Sequence, residues 1–274
     1  MECCLADTLN RLIRRNPFLW KSMQQKLIMK PSMAQSALTR FTFNIRDLDG
    51  LFPGFRAGDF AVIYGPQSVT SLTSLLCVRA QVPVRLGGAE SNVVFIDCAN
   101  SSSLSDIGHT AQFEKLTAEA ALDRIFNIRV YTAYRLISII MEQLQEVVAK
   151  REAKVIVISD IVAPFLRNNV DDQEAKTFYS QIMSYLLNFA KKYQLIIIAT
   201  CLSHESSRRN SVLQEISNAK ASTVLRFTKT PYTKEVELEK HPSYMLGVVD
   251  LTSENKALTD FMGTGIEDKN YFLM

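Results

Sequence analysis

At 274 residues, with 47% hydrophobic and 22% charged side chains, the chain has the composition of a globular protein with a sizeable core. No apolar run reaches the roughly 18 residues of a membrane span, and the start Met1-Glu2-Cys3-Cys4 lacks the apolar stretch of a secretory leader. Five cysteines and three histidines are scattered without ligand spacing, which excludes a zinc site.

A cytoplasmic or nuclear protein without a membrane partner is therefore expected. Cys77, Cys98 and Cys201 stand in apolar surroundings and are expected as reduced core residues. The net charge of +3 is unevenly placed: residues 1–40 carry +5 and the remainder about −2. Leu5, Leu9, Leu12, Ile13 and Leu19 recur at near-helical spacing with Arg11, Arg14 and Arg15 between them. Pro17 divides this segment, and a second short helix carries Trp20, Met23, Leu27 and Ile28 before a linker around Pro31. Residues 1–37 are thus expected to form a basic helical arm and linker, and residues 38–274 the core domain. Such an arm suits contact with nucleic acid or an acidic protein, and equally a solvated helix face.

From there strand and helix alternate. Phe60–Tyr64 is an apolar strand, followed by a Gly-Pro turn and an apolar helix over Leu72–Val78. Val93–Ile96 is a second strand, Tyr131–Lys150 a long helix, and Lys154–Ile158 a third strand. A helix over Glu174–Lys192 leads into a fourth strand, Leu195–Ala199. Uniformly apolar strands joined by amphipathic helices specify an α/β domain whose mostly parallel sheet is covered on both faces. Thr223–Thr228, Lys234–Leu238 and Met245–Leu251 read as strands without helices between them, expected as antiparallel additions at the C-terminal edge.

In such a sheet, ligands bind beyond the carboxyl ends of the strands. The first of those ends reads Gly65-Pro66-Gln67-Ser68-Val69-Thr70-Ser71-Leu72, placed where a phosphate-binding loop G-x-x-x-x-G-K-[ST] would lie. Gly65 matches the first glycine. Thr70 replaces the second, Ser71 the lysine and Leu72 the metal-binding hydroxyl. Ser71 brings no charge to a phosphate and Leu72 no oxygen to Mg²⁺. An ordinary strand-to-helix turn would look much the same. The third strand ends at Asp160, where a carboxylate would hold Mg²⁺ through water, although an aspartate capping a turn is also common there.

Taken in order, these segments resemble the RecA/RadA recombinase superfamily, and in particular its divergent paralogs. Leu48-Asp49-Gly50-Leu51-Phe52-Pro53-Gly54 is similar to the family's LD-x-LL-GGG opening, and Gly65-Pro66-Gln67-Ser68 to the start of its phosphate loop. Ile128–Thr132 resembles the segment before the helix that precedes the Asp160 strand, and Ala221–Phe227 the strand after the second DNA-binding loop. Leu238–Pro242 and Gly265–Asp268 resemble the C-terminal strands and tail of the archaeal branch. The likeness spans roughly residues 40–270 and implies a RecA-like core.

The departures from the family set what is expected of function. Where the family's catalytic glutamate follows the second strand, this chain reads Ile96-Asp97-Cys98-Ala99-Asn100, with Ala99 in the glutamate's place. Leu202 replaces the amide after the fourth strand. The expectation is a pseudo-ATPase with no catalytic residue and no resident cofactor. If ATP and Mg²⁺ bind, the candidates are Gly65, Pro66, Gln67, Ser68, Thr70 and Ser71 for the nucleotide, with Asp160 on the metal. The family threads single-stranded DNA past two loops, here Leu166–Asp172 and Ser203–Lys220, of which the second offers Arg208, Arg209 and Lys220. Neither loop has an aromatic residue to stack a base. The expected partners are a RecA-family recombinase or another paralog in a hetero-oligomer, and single-stranded DNA. The alternatives are an active ATPase with an unusual loop and a KaiC-like scaffold outside recombination.

Overall fold

The computed structural model describes residues 40–100, 104–167, 170–203 and 207–251. The expected N-terminal arm, the Cys3-Cys4 pair and the tail around Gly265 lie outside the described residues.

Apolar β-branched runs form the strands because such side chains suit a sheet buried on both faces. Phe60–Gly65 (β1), Asn92–Asp97 (β2), Ile125–Arg129 (β3), Ala153–Ser159 (β4), Ile196–Leu202 (β5), Thr223–Lys229 (β6), Lys234–Lys240 (β7) and Gly247–Asp250 (β8) form one sheet of order β3-β2-β4-β5-β1-β6-β7-β8. The strands from β3 to β6 are parallel; β7 and β8 continue the edge antiparallel. This is the expected α/β architecture.

Alternation along each strand divides the core between the two faces. Phe60, Val62, Val94, Ile96, Ile156, Ile158 and Ile197 pack on one side. Ala61, Ile63, Val93, Phe95, Val155, Val157 and Ile198 pack on the other. The first face is covered by Ala133–Ser138 (α5), a π-helical turn at Ile139–Gln143, Leu144–Arg151 (α6), Ala163–Leu166 (α7) and Asp172–Tyr193 (α8). The expected helix over Tyr131–Lys150 is thus a helix with one wide turn inside it.

Against the other face lies Val69–Arg79 (α2), beside Phe41, Phe43, Phe52 and Phe55 around the short helix Arg46–Leu51 (α1). Leu104–Phe113 (α3) and Ala118–Asp123 (α4) close the flank, with Ile107, Ala111 and Ala121 against Val78. Arg79 is 1% exposed and is held by Glu114 at 2.8 Å and by the carbonyls of Leu86 and Thr42. Its guanidinium pins α2 to α3 and to the entering chain.

Two expectations are corrected. Residues 208–220, read as part of a loop, form the helix Arg208–Lys220 (α9), started by the Ser207 hydroxyl accepting from the Asn210 amide. Consequently β6 returns through a helix and pairs parallel with β1, so two of the three last strands are antiparallel rather than all of them. The reason is composition: α9 buries only Asn210, Leu213 and Ser217, too few apolar positions to print a helical period. Cys77, Cys98 and Cys201 are buried free thiols, as expected. Among the described residues no helix is long and apolar enough to cross a membrane.

Candidate functional site

The carboxyl ends of β4, β5 and β1 lie side by side, and this brings the sequence candidates Gly65 and Asp160 into one place. Gly65 pairs with Leu202 across β1 and β5, and its carbonyl accepts from the Ser203 amide at 2.8 Å. The Leu202 amide in turn donates to Asp160 Oδ1 at 3.1 Å. A continuous line Gly65, Leu202, Asp160 therefore crosses three strands.

Asp160 is 2% exposed and holds a left-handed backbone, φ 43°. Its amide donates to Thr200 Oγ1 at 2.9 Å. One carboxylate oxygen is thus committed to the protein backbone, tying the turn after β4 to β5. Asp97, 1% exposed at the end of β2, accepts from Ser159 Oγ at 3.2 Å, a bond between neighbouring strand ends. Burial, then the charges of Asp160 and Asp97, push the Cys98 thiol well up, so it stays protonated. Burial chiefly, then Asp160, lifts Cys201 to about 12. The structure places Ala99 after β2, half-buried, with nothing but a methyl group to offer.

The turn between β1 and α2 is the other half of the site. A phosphate cradle needs free amides at the start of the helix. Here Val69 N–H donates to the Pro66 carbonyl at 2.9 Å, Thr70 N–H to Gln67 at 3.0 Å and Ser71 N–H to Ser68 at 3.2 Å. Thr70 Oγ1 donates to the Gln67 carbonyl as well, at 2.7 Å. The amides close the turn onto itself. Ser68 makes no cap bond to the helix, and its hydroxyl is buried without a partner. Leu72, in the position of the metal-binding hydroxyl, is fully buried in the core.

Gly65 has a packing reason to be glycine: a Cβ there would collide with the Phe227 carbonyl oxygen of β6 and crowd Val69. Measured against a magnesium nucleotide, these residues do not fit. There is no lysine, no hydroxyl where the metal would need one, and the aspartate is engaged. Among the described residues no group of three His, Cys, Asp or Glu side chains is placed to hold a metal. A cavity of about 430 Å³ between Asn92, Arg124, Phe126 and Arg151 opens at the amino ends of the strands, away from this site.

The second candidate set, for DNA, is dispersed. Arg208 is exposed at the start of α9 and Lys220 at its end. Twelve helical steps separate them, about 18 Å at 1.5 Å each. Arg209 is drawn inward: it pairs with Asp172 and donates to the carbonyls of Phe165 and Val170 at 2.9 and 3.0 Å. It clamps the segment after α7 to α9. Arg208, Arg209 and Lys220 therefore do not make one patch.

Sequence reasoning missed two features. Thr200 and Asn210 brace the strand ends, the latter donating to the Leu202 carbonyl at 3.2 Å. Tyr131 and Tyr134, just after β3, are exposed aromatic rings beside the first loop, and the Arg167 guanidinium lies 5.9 Å from the Tyr131 ring centre. Tyr131 and Tyr134 stand inside an expected helix, and only the fold brings Tyr131 next to Arg167 and Tyr134 next to Glu174 and Phe178.

A family model described as Rad51 matches residues 34–220 of the chain. The meiotic recombination protein DMC1/LIM15 homolog of Mus musculus is 29% identical over 141 residues, covering 48% of this chain and 40% of the relative. Meiotic recombination protein DLH1 of Candida albicans is 26% identical over 136 residues, 48% of this chain and 41% of the relative. The DNA repair and recombination protein RadA of Metallosphaera sedula is 22% identical over 182 residues, 64% and 56% respectively. The chain spans about half the length of these relatives.

Proposed function

Because the chain belongs to the Rad51 family, within the RecA/RadA recombinase superfamily, we propose that it serves homologous recombination and DNA repair without hydrolysing ATP itself. In this reading it works as a subunit: it associates with an ATP-competent recombinase or another paralog in a hetero-oligomer. It contributes a RecA-like face and a contact to single-stranded DNA.

The observation that carries the reading is the closed turn between β1 and α2. Its first three helix amides bond back to Pro66, Gln67 and Ser68, while Leu72 fills the core where a metal-binding hydroxyl would stand. Hydrolysis by family chemistry needs positioned phosphates, a metal and an oriented water. Ala99, Ser71 and Leu72 supply none of these. The fold itself, with its buried sheet and braced strand ends, is kept. What remains useful in such a subunit is shape and surface.

The test uses the whole purified chain. Alone, it should turn over ATP no faster than a protein-free blank; mixed with an active recombinase core, it should co-elute with it. Turnover that Asp160→Asn abolishes would make it an active enzyme instead. Failure to associate with any recombinase core or paralog under native purification would remove the subunit role.

A further inference from the structure

We propose that the cavity at the amino ends of β2 and β3 is a binding site for a small sugar phosphate. Its volume, about 430 Å³, is that of a small-molecule pocket. It opens at the opposite ends of the strands from Gly65 and Asp160 and shares no residue with their site. The inference is independent of the recombination role proposed above.

Three cations line this cavity. Arg124 follows α4, and Lys150 and Arg151 end α6. The Arg124 guanidinium is fixed in place: its Nε donates to Asn92 Oδ1 at 3.0 Å and its Nη1 to the Gln81 carbonyl at 3.3 Å, leaving Nη2 to a ligand. Asn92 is held in turn, its side-chain nitrogen donating to the Arg151 carbonyl at 2.8 Å. The Arg151 guanidinium lies over the Phe126 ring, 4.2 Å from its centre. Among the described residues none of the three cations is ion-paired with a carboxylate. Two anchored guanidinium groups and an ammonium without a protein anion suit the oxygens of a phosphate.

The same rim carries Asp123 and Glu152, both exposed. Against the three cations they leave the lining with one net positive charge. A nucleic-acid strand or the triphosphate of ATP brings more negative charge than such a lining balances, and the two carboxylates repel it. What carboxylates do accept is hydroxyl groups. A phosphate joined to a polyhydroxy body uses the whole lining, with its phosphoryl oxygens on Arg124, Lys150 and Arg151 and its hydroxyls on Asp123 and Glu152. A bare phosphate uses the cations alone. The carbonyls at the end of α6 do not compete for the anion's place: the Glu152 amide takes those of Val148 and Ala149, and Asn92 takes that of Arg151.

The test is calorimetric titration of the full chain with glucose 6-phosphate, set against glucose and inorganic phosphate at matched ionic strength. Glucose 6-phosphate should bind saturably, inorganic phosphate about tenfold more weakly, and glucose not at all. Lys150→Gln and Arg151→Gln should each weaken the sugar phosphate about tenfold, the loss of one charge-assisted hydrogen bond. Asp123→Ala should weaken the sugar phosphate and spare inorganic phosphate, a split that a purely structural carboxylate would not produce. Lys150 and Asp123 are exposed, so thermal melting of Lys150→Gln and Asp123→Ala should match the parent chain. No saturable binding of glucose 6-phosphate would overturn the site. Equal affinity for glucose 6-phosphate and inorganic phosphate would overturn the sugar-phosphate assignment. Affinity unchanged in both Lys150→Gln and Arg151→Gln would overturn the location. Co-elution with a recombinase core, measured on the same variants, should be unaffected throughout.

Discussion

Single residues in this chain carry family positions but perform structural work. Gly65 stands at the first glycine of a phosphate loop, yet the close approach of the Phe227 carbonyl is what demands it. Gly65→Val should therefore lower thermal stability markedly, by about 1–3 kcal/mol of overpacking or more, measurable by denaturant or thermal unfolding. A glycine needed only for phosphate would leave stability unchanged. His241 offers a pH-dependent counterpart. Its Nδ1 accepts from the Ser243 and Tyr244 amides, both at 3.0 Å, and its ring stacks on Tyr244 at 4.0 Å. Burial first, then the charges of Arg56 and Arg40, hold its pKa below the usual histidine value. The unfolded chain then takes up a proton more readily than the folded one. The stability this histidine contributes is present above its unfolded pKa, about 6.5, and is lost as pH falls through that value toward the lower folded one. Melting temperature should drop between about pH 7.5 and 5.5, and the drop should be smaller in His241→Asn.

At the scale of elements, legibility followed hydrophobic contrast. The strands β1, β2, β4 and β5 are buried along nearly their whole length, and continuous apolar runs announce them. β3 is an edge strand whose Asn127 and Arg129 face solvent, so its short mixed sequence reads as a connection rather than a strand. α9 was read as loop for the same reason: its docking surface is largely polar. Ser217 on that helix bonds the Tyr179 hydroxyl at 2.6 Å, deep in the interior. Ser217→Ala would leave the tyrosine hydroxyl buried without that partner and should cost about 1–3 kcal/mol, read by chemical denaturation. A loop at 208–220 would tolerate the change without loss. The candidate site was legible in part. The proximity of Gly65 to Asp160 follows from any parallel sheet with β5 between β4 and β1. The use of the Asp160 carboxylate by the Leu202 amide does not, because backbone bonding at a strand end leaves no mark in the residue types.

For the whole molecule, the sheet order and the two-sided core keep the frame of a RecA-type domain, and in the proposed reading packing and backbone bonds stand at its carboxyl edge in place of nucleotide chemistry. Closed helix amides, a core leucine and an aspartate bonded to the Leu202 amide are the features on which the proposed subunit role rests. The direct measurement is calorimetric titration of the full chain with ATP in the presence of Mg²⁺. The account predicts heats indistinguishable from dilution, with no saturable binding. A saturable micromolar isotherm of one nucleotide per chain would contradict it, because the turn between β1 and α2 would then have to open and its amides turn to phosphate.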